Sequence, residues 1–145
     1  MSNHHKVYVA AYLVLKRDNQ IFLLRRANTG YEDGKYGLPS GHVEKDEQPS
    51  IAAIREAKEE VGIDALPEDI SFVHAMHRLD YGGTDMEYDD FFFLCEKWSG
   101  EPSNMEPEKC DECGWFPIDN LPPNTMPYTK QAIEDIQKGK FYREK

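Results

Sequence analysis

At 145 residues, 39% hydrophobic and 30% charged, the chain has the size and composition of one soluble globular domain, 1–145, with a real core. Seventeen Lys and Arg against 27 Asp and Glu leave a formal net charge of −10, which excludes a general binder of DNA or RNA polymers. A small polyanionic substrate is still compatible with that charge, because a bound metal reverses the local sign.

Residues 7–15 (VYVAAYLVL) are β-branched and apolar and predict a buried first strand. No cleavage-site pattern follows this run, so it is not read as a signal peptide, and no apolar run is long enough to span a bilayer. Asp18-Asn19 is turn chemistry, and Gln20–Arg26 is the hairpin partner. Residues 28–35 form a loop, and 36–41 (YGLPSG) a short extended piece. Pro49-Ser50 starts a helix that runs to about Val61, with Gly62 at its stop. Ile70–Leu79 predicts a strand, 80–85 (DYGGTD) a turn or loop, and 88–97 a strongly apolar strand. Residues 99–112 form a polar, acidic loop, 115–118 a short strand, and 121–127 a proline-rich connection. Pro127 opens a last helix ending near Gly139. Strands that precede and separate two helices give the class α+β, a mixed β-sheet with helices packed on it.

The three cysteines, Cys95, Cys110 and Cys113, form an odd set without a secretory signal, which predicts reduced thiols in a cytoplasmic protein. Cys110-x-x-Cys113 has no second ligand pair at zinc spacing and is read as two unligated thiols. His74 and His77 show no metal spacing with another His or Cys and are left as strand residues.

The first helix carries Glu56, Glu59 and Glu60 at i, i+3 and i+4, hence on one face. Like charges at that spacing repel and weaken a helix unless something cationic sits among them. A divalent metal is the economical explanation, since hard cations take oxygen ligands and are often shared with substrate phosphates. Ile51, Ile54, Ala57 and Val61 are expected to face the core. Arg55 lies beside the carboxylates, and Glu47 in the preceding loop is its natural partner.

The 23-residue stretch Gly41 to Ile63 reads GHVEKDEQPSIAAIREAKEEVGI. Its Gly41, Glu47, Arg55-Glu56, Glu59-Glu60, Gly62 and Ile63 resemble the Nudix box of the Nudix hydrolases at every fixed position. Ala57 is smaller than the usual aliphatic residue, and Ser40 of the entry YGLPSGHVE stands where many members have Gly. The later stretch EPEKCDECGWFPIDNLP is similar to one that recurs in nucleotide-hydrolysing members.

The resemblance implies a three-layer α/β/α sandwich with the box as a loop–helix–loop. It implies hydrolysis of a nucleoside diphosphate linked to another group, with Mg²⁺ or Mn²⁺ as cofactor. Glu56, Glu59 and Glu60 then take the metal-ligand positions, with the Gly41 backbone bringing a carbonyl near the metal. Glu47 and Arg55 take the bracing positions. The general base is a box glutamate, Glu59 or Glu60, or a loop glutamate, with Glu106, Glu108 and Glu112 as the loop candidates.

Further substrate contacts are open at this stage. Arg25 and Arg26 are either a charged strand end or phosphate contacts. His42 is either an exposed loop residue or a substrate contact. Tyr81 lies 18 residues beyond Ile63, near a spacing seen in members that cleave dinucleoside polyphosphates, although a Gly-rich turn favours an ordinary turn tyrosine. Phe91–Phe93 and Trp115 are read as core rather than as base-stacking rings.

The expected substrate is a small nucleotide, a nucleoside or deoxynucleoside triphosphate cleaved to monophosphate and pyrophosphate. The alternatives are a dinucleoside polyphosphate, ADP-ribose or another nucleotide sugar. No proline-centred signature stands at the spacing expected for ADP-ribose hydrolases. From another class, a non-catalytic nucleotide-binding module would be expected to have lost box residues that this chain retains. Neither a membrane nor a nucleic-acid partner is expected, and homodimers are common in families of this kind.

Overall fold

The computed structural model describes residues 3–79 and 86–145. Tyr81 and the rest of the loop expected at 80–85 lie outside the described residues. β1 (Tyr8–Arg17) and β2 (Gln20–Arg26) are joined by the turn at Asp18, whose φ is 55°. They pair only at its base, Lys16 with Ile21 and Arg17 with Gln20. Beyond that point β2 is flanked by β3 (Tyr36–Gly37) and β7 (Cys110–Pro117), both antiparallel. β1 instead takes β4 (Ser40–His42) antiparallel on one side and β6 (Glu87–Cys95) parallel on the other. β5 (Ile70–Leu79) runs antiparallel to β6 and parallel to β8 (Tyr142–Glu144). The sheet therefore forks after the first turn, and the carboxylate-bearing helix sits by the fork.

α1 (Pro49–Val61) ends where Gly62 adopts φ 76°, a left-handed stop that donates its N–H to the Lys58 carbonyl. Its core face is Ala52, Ala53, Ala57 and Val61, packed with Ala11, Leu13 and Leu15 of β1. The expectation for Ile51 is corrected. It is 42% exposed, while Ile54 is only partly buried. Two adjacent alanines take the place of Ile51, and their small side chains let the helix lie close to β1. This rotation of the buried stripe turns Glu56 and Glu60 inward, to the edge of the core.

α2 (Pro127–Gln137) covers the other face, with Ala132 and Ile133 against Val14, Met76 and Phe92. The mixed sheet between two helical layers is the expected α+β sandwich. The edges of several elements differ from expectation. β7 begins at Cys110, so the acidic loop is shorter than its composition suggests; Asp111 and Glu112 lie on a strand whose register shifts opposite Arg25 and Arg26. β8 was not expected at all. Three residues carry too little pattern, and the strand is held by tertiary bonds, Arg143 Nε and Nη2 to the buried Asp135 carboxylate at 2.6 and 3.0 Å.

Because Ala53 is fully buried against β1, Ala53→Leu should destabilise the protein by about 1–3 kcal/mol. An unchanged urea midpoint would contradict the close α1–β1 contact.

Candidate active site

Arg55 organises the box. Its Nε and Nη2 donate to the two oxygens of Glu47 at 2.7 and 3.0 Å. Its Nη1 donates to Glu56 Oε1 at 2.8 Å and, more weakly, to Glu59 at 3.4 Å. Nη2 also reaches the His42 carbonyl at 3.3 Å. One planar guanidinium thus ties the β4–α1 loop to the helix, using the fork geometry that lysine lacks. Glu47 also accepts the Glu44 N–H at 3.0 Å. These bonds, that of Arg55 first, hold the Glu47 carboxyl down at about 2. The same bond is the chief reason the Arg55 pKa is raised.

Glu56 lies across the backbone at Gly41. A Cβ built on that glycine would stand 2.1 Å from the Glu56 carboxylate carbon, so no larger residue fits there without moving Glu56. Glu60 accepts the Ser40 N–H at 2.7 Å. Ser40 itself pairs with Tyr12 as the first residue of β4, and its backbone does not have a positive φ, so the position accepts a side chain. Burial raises the pKa of both carboxyls. Glu60 is pushed up to about 8, with Glu56 and Glu106 adding repulsion. Glu56 is also raised, though Arg55 opposes the shift.

These groups open on a cleft of about 310 Å³. Glu56, Glu59 and Glu60 line it together with Glu106, Arg25, Arg26 and Lys109. Of the three loop carboxylates considered, the structure brings only Glu106 to the cleft. Glu108 points its carbonyl to Asn28, and Glu112 is paired with Arg25 at 3.0 Å. Arg25 is also bonded to Asp111 at 2.7 Å, so it reaches the cleft already neutralised. Arg26 donates only Nε, to the Tyr31 carbonyl at 2.7 Å, and has no carboxylate partner among the described residues. His42 is outside the cleft lining, with Nε2 3.3 Å from the Tyr88 hydroxyl. Lys109, on the same loop as Glu106, also lines the cleft, and no motif or spacing in the sequence marks it.

The cluster suits a divalent cation. Its donors are hard carboxylate oxygens, and two of them have pKa values raised by being desolvated together. Among the described residues no three side chains already converge as a ligand set. Here Arg55 bonds to Glu56 and Glu59, and the Ser40 N–H bonds to Glu60.

A model of the NUDIX domain matches residues 4–136. The chain belongs to the Nudix family. Nudix relatives include an 8-oxo-dGTP diphosphatase of Escherichia coli, 32% identical over 127 residues, which cover 84% of this chain and 92% of that protein. An ADP-ribose pyrophosphatase of Methanocaldococcus jannaschii is 29% identical over 132 residues, covering 91% and 74%. The crystal structure of a MutT NUDIX hydrolase from Burkholderia pseudomallei superposes with a TM-score of 0.82 at 29% identity, covering 90% of this chain and 98% of that one. The protein is a Nudix hydrolase that acts on phosphoric anhydride bonds of nucleotides.

The Glu47–Arg55 brace has a pH signature. The folded pKa of Glu47, about 2, lies below its ordinary 4.5. Its contribution to stability is therefore complete above pH 4.5 and is lost as the pH falls through about 2. The unfolding free energy of the wild type should fall more steeply over that window than that of Glu47→Gln. Parallel curves in a urea series would contradict the brace.

Proposed function

We propose that this Nudix hydrolase converts a nucleoside or deoxynucleoside triphosphate to the monophosphate and pyrophosphate. The observation that carries the reading is the division of the cleft. The box carboxylates form one side-chain cluster of the cleft, suited to a metal, while Arg26 has no carboxylate partner among the described residues and keeps its two terminal nitrogens for phosphate. The 8-oxo-dGTP diphosphatase relative supports the triphosphate class and puts oxidised guanine nucleotides among the substrates to test. The ADP-ribose pyrophosphatase relative supports ADP-ribose as the second reading.

Glu56, Glu59, Glu60 and the Gly41 carbonyl would hold Mg²⁺ or Mn²⁺. Such a cation neutralises the polyphosphate, stabilises the leaving group and lowers the pKa of a bound water. The chain's own residues complete the reaction. Arg55 and Glu47 fix the loop that carries Gly41. Arg26 orients the phosphates. Glu106, lining the same cleft as the box, accepts the proton of the attacking water. As the water oxygen bonds to one phosphorus of the α–β anhydride, the bond from that phosphorus to the bridging oxygen breaks, the bridging oxygen leaves with the electron pair, and the products are the monophosphate and pyrophosphate. The three cysteines are free thiols, which supports a reducing, cytoplasmic setting. No helix among the described residues is long and apolar enough to cross a membrane.

Pyrophosphate release from a nucleotide panel, with Mg²⁺ and with EDTA, tests the reading. EDTA should abolish turnover. Glu60→Gln and Glu106→Gln should each lose about 10²–10⁴ in kcat/KM, whereas Glu108→Gln and Glu112→Gln should stay near wild type. Full activity in Glu106→Gln would return the base to a box glutamate. Metal-dependent turnover of ADP-ribose alone would establish the second reading.

A further inference from the structure

The loop before β7 is fastened at both ends. Ser103 N–H donates to the Val61 carbonyl at 3.0 Å, and Met105 N–H to the Glu60 carbonyl at 3.1 Å, so the loop rides on the last turn of α1. Asn104 bridges it internally, with Nδ2 to the Cys110 carbonyl at 2.6 Å and Oδ1 accepting the Glu106 N–H at 3.1 Å. The Glu106 carbonyl accepts the N–H groups of Lys109 and Cys110 at 2.9 and 3.0 Å, which makes one tight turn. The Lys109 carbonyl accepts the Ala27 N–H at 2.9 Å, tying the turn to the end of β2. Glu106 and Lys109 are thus both placed on the cleft wall by the same pinned turn.

Lys109 shares the cleft with four glutamates, yet it lies within 4.0 Å of no carboxylate among the described residues. Arg55 meets Glu56 and Glu59, and the Ser40 N–H meets Glu60. Lys109 is exposed on the wall of this cleft, where its side chain is free to meet an anion brought by the substrate. Lysine is a compact, strongly hydrated point charge without the planar fork of arginine. Its attraction grows with the charge on its partner, so it favours a dianionic terminal phosphate over the singly charged internal phosphates of a doubly esterified diphosphate.

We propose that Lys109 is a specificity-determining residue of this Nudix site, holding the free terminal phosphate of the substrate and so selecting triphosphates over diphosphates capped at both ends. The proposal rests on the triphosphate reading above. Lys109 meets the phosphates that depart as pyrophosphate, and Arg26 those nearer the nucleoside.

The test compares the wild type, Lys109→Met and Lys109→Arg in Mg²⁺, with a nucleoside triphosphate and ADP-ribose as substrates. Lys109→Met should lose about tenfold to hundredfold in kcat/KM on the triphosphate, the range for a hydrogen bond to a charged group. On ADP-ribose it should lose less than about threefold, and Lys109→Arg should recover most of the triphosphate activity. Competitive inhibition by inorganic triphosphate should weaken in parallel. Equal losses on both substrates, or none, would overturn the proposal, as would a wild type that turns over ADP-ribose only. If the wild type hydrolyses neither compound, the triphosphate reading fails. The clamp is then judged by thermal stabilisation with Mg²⁺ and inorganic triphosphate: loss in Lys109→Met supports it, and a shift equal to the wild type's overturns it.

Discussion

The carboxylates of Glu56 and Glu60 are drawn out of water at the edge of the α1 core, and the arrangement around them follows from that placement. Like charges four residues apart weaken a helix by themselves, and desolvation adds to the cost. The protein meets it in three ways. Arg55 lies against Glu56, the Ser40 N–H meets Glu60, and Gly41 leaves the space that Glu56 fills. Glu47 then holds Arg55 in place. A missing brace would leave partly buried charge without compensation, which is the costly case for an ion pair.

The fold delivers this cluster through the fork in the sheet. β1 leaves β2 after two residue pairs and turns to β4, so the backbone at Ser40 and Gly41 reaches the helix from the opposite side. β7, bound to β2 on the other prong, carries the loop that places Glu106 and Lys109 across from the box. The cleft therefore joins segments distant in sequence: the box helix supplies Glu56, Glu59 and Glu60, while β2 and the loop before β7 supply Arg25, Arg26, Glu106 and Lys109. Arg55 is bound within the box, whereas Arg26 and Lys109 have no carboxylate partner among the described residues.

Much of this was legible in the sequence where the pattern is local. The hairpin turn at Asp18-Asn19, the helix stop at Gly62 and the long apolar strands follow from turn chemistry and periodicity. The grouping of Glu56, Glu59 and Glu60 follows from helical spacing. What was not legible depends on tertiary partners. Ile51 is exposed because two alanines pack closer to β1. β8 exists because Arg143 finds the buried Asp135. Asp111 and Glu112 look like loop residues but sit on a strand edge, where they neutralise Arg25. Glu106, and not Glu108 or Glu112, lines the cleft because of the pinned turn, and the same turn brings Lys109 there, a placement that no local pattern marks.

Direct titration with Mn²⁺ followed by electron paramagnetic resonance tests, without reference to any substrate, whether the box carboxylates form a cation site. Saturable binding to the wild-type protein, greatly weakened in Glu56→Gln and Glu60→Gln but unaltered in Glu108→Gln, is the predicted result. Binding of equal affinity in all four proteins would place the cation elsewhere and rule out a cation site at the box.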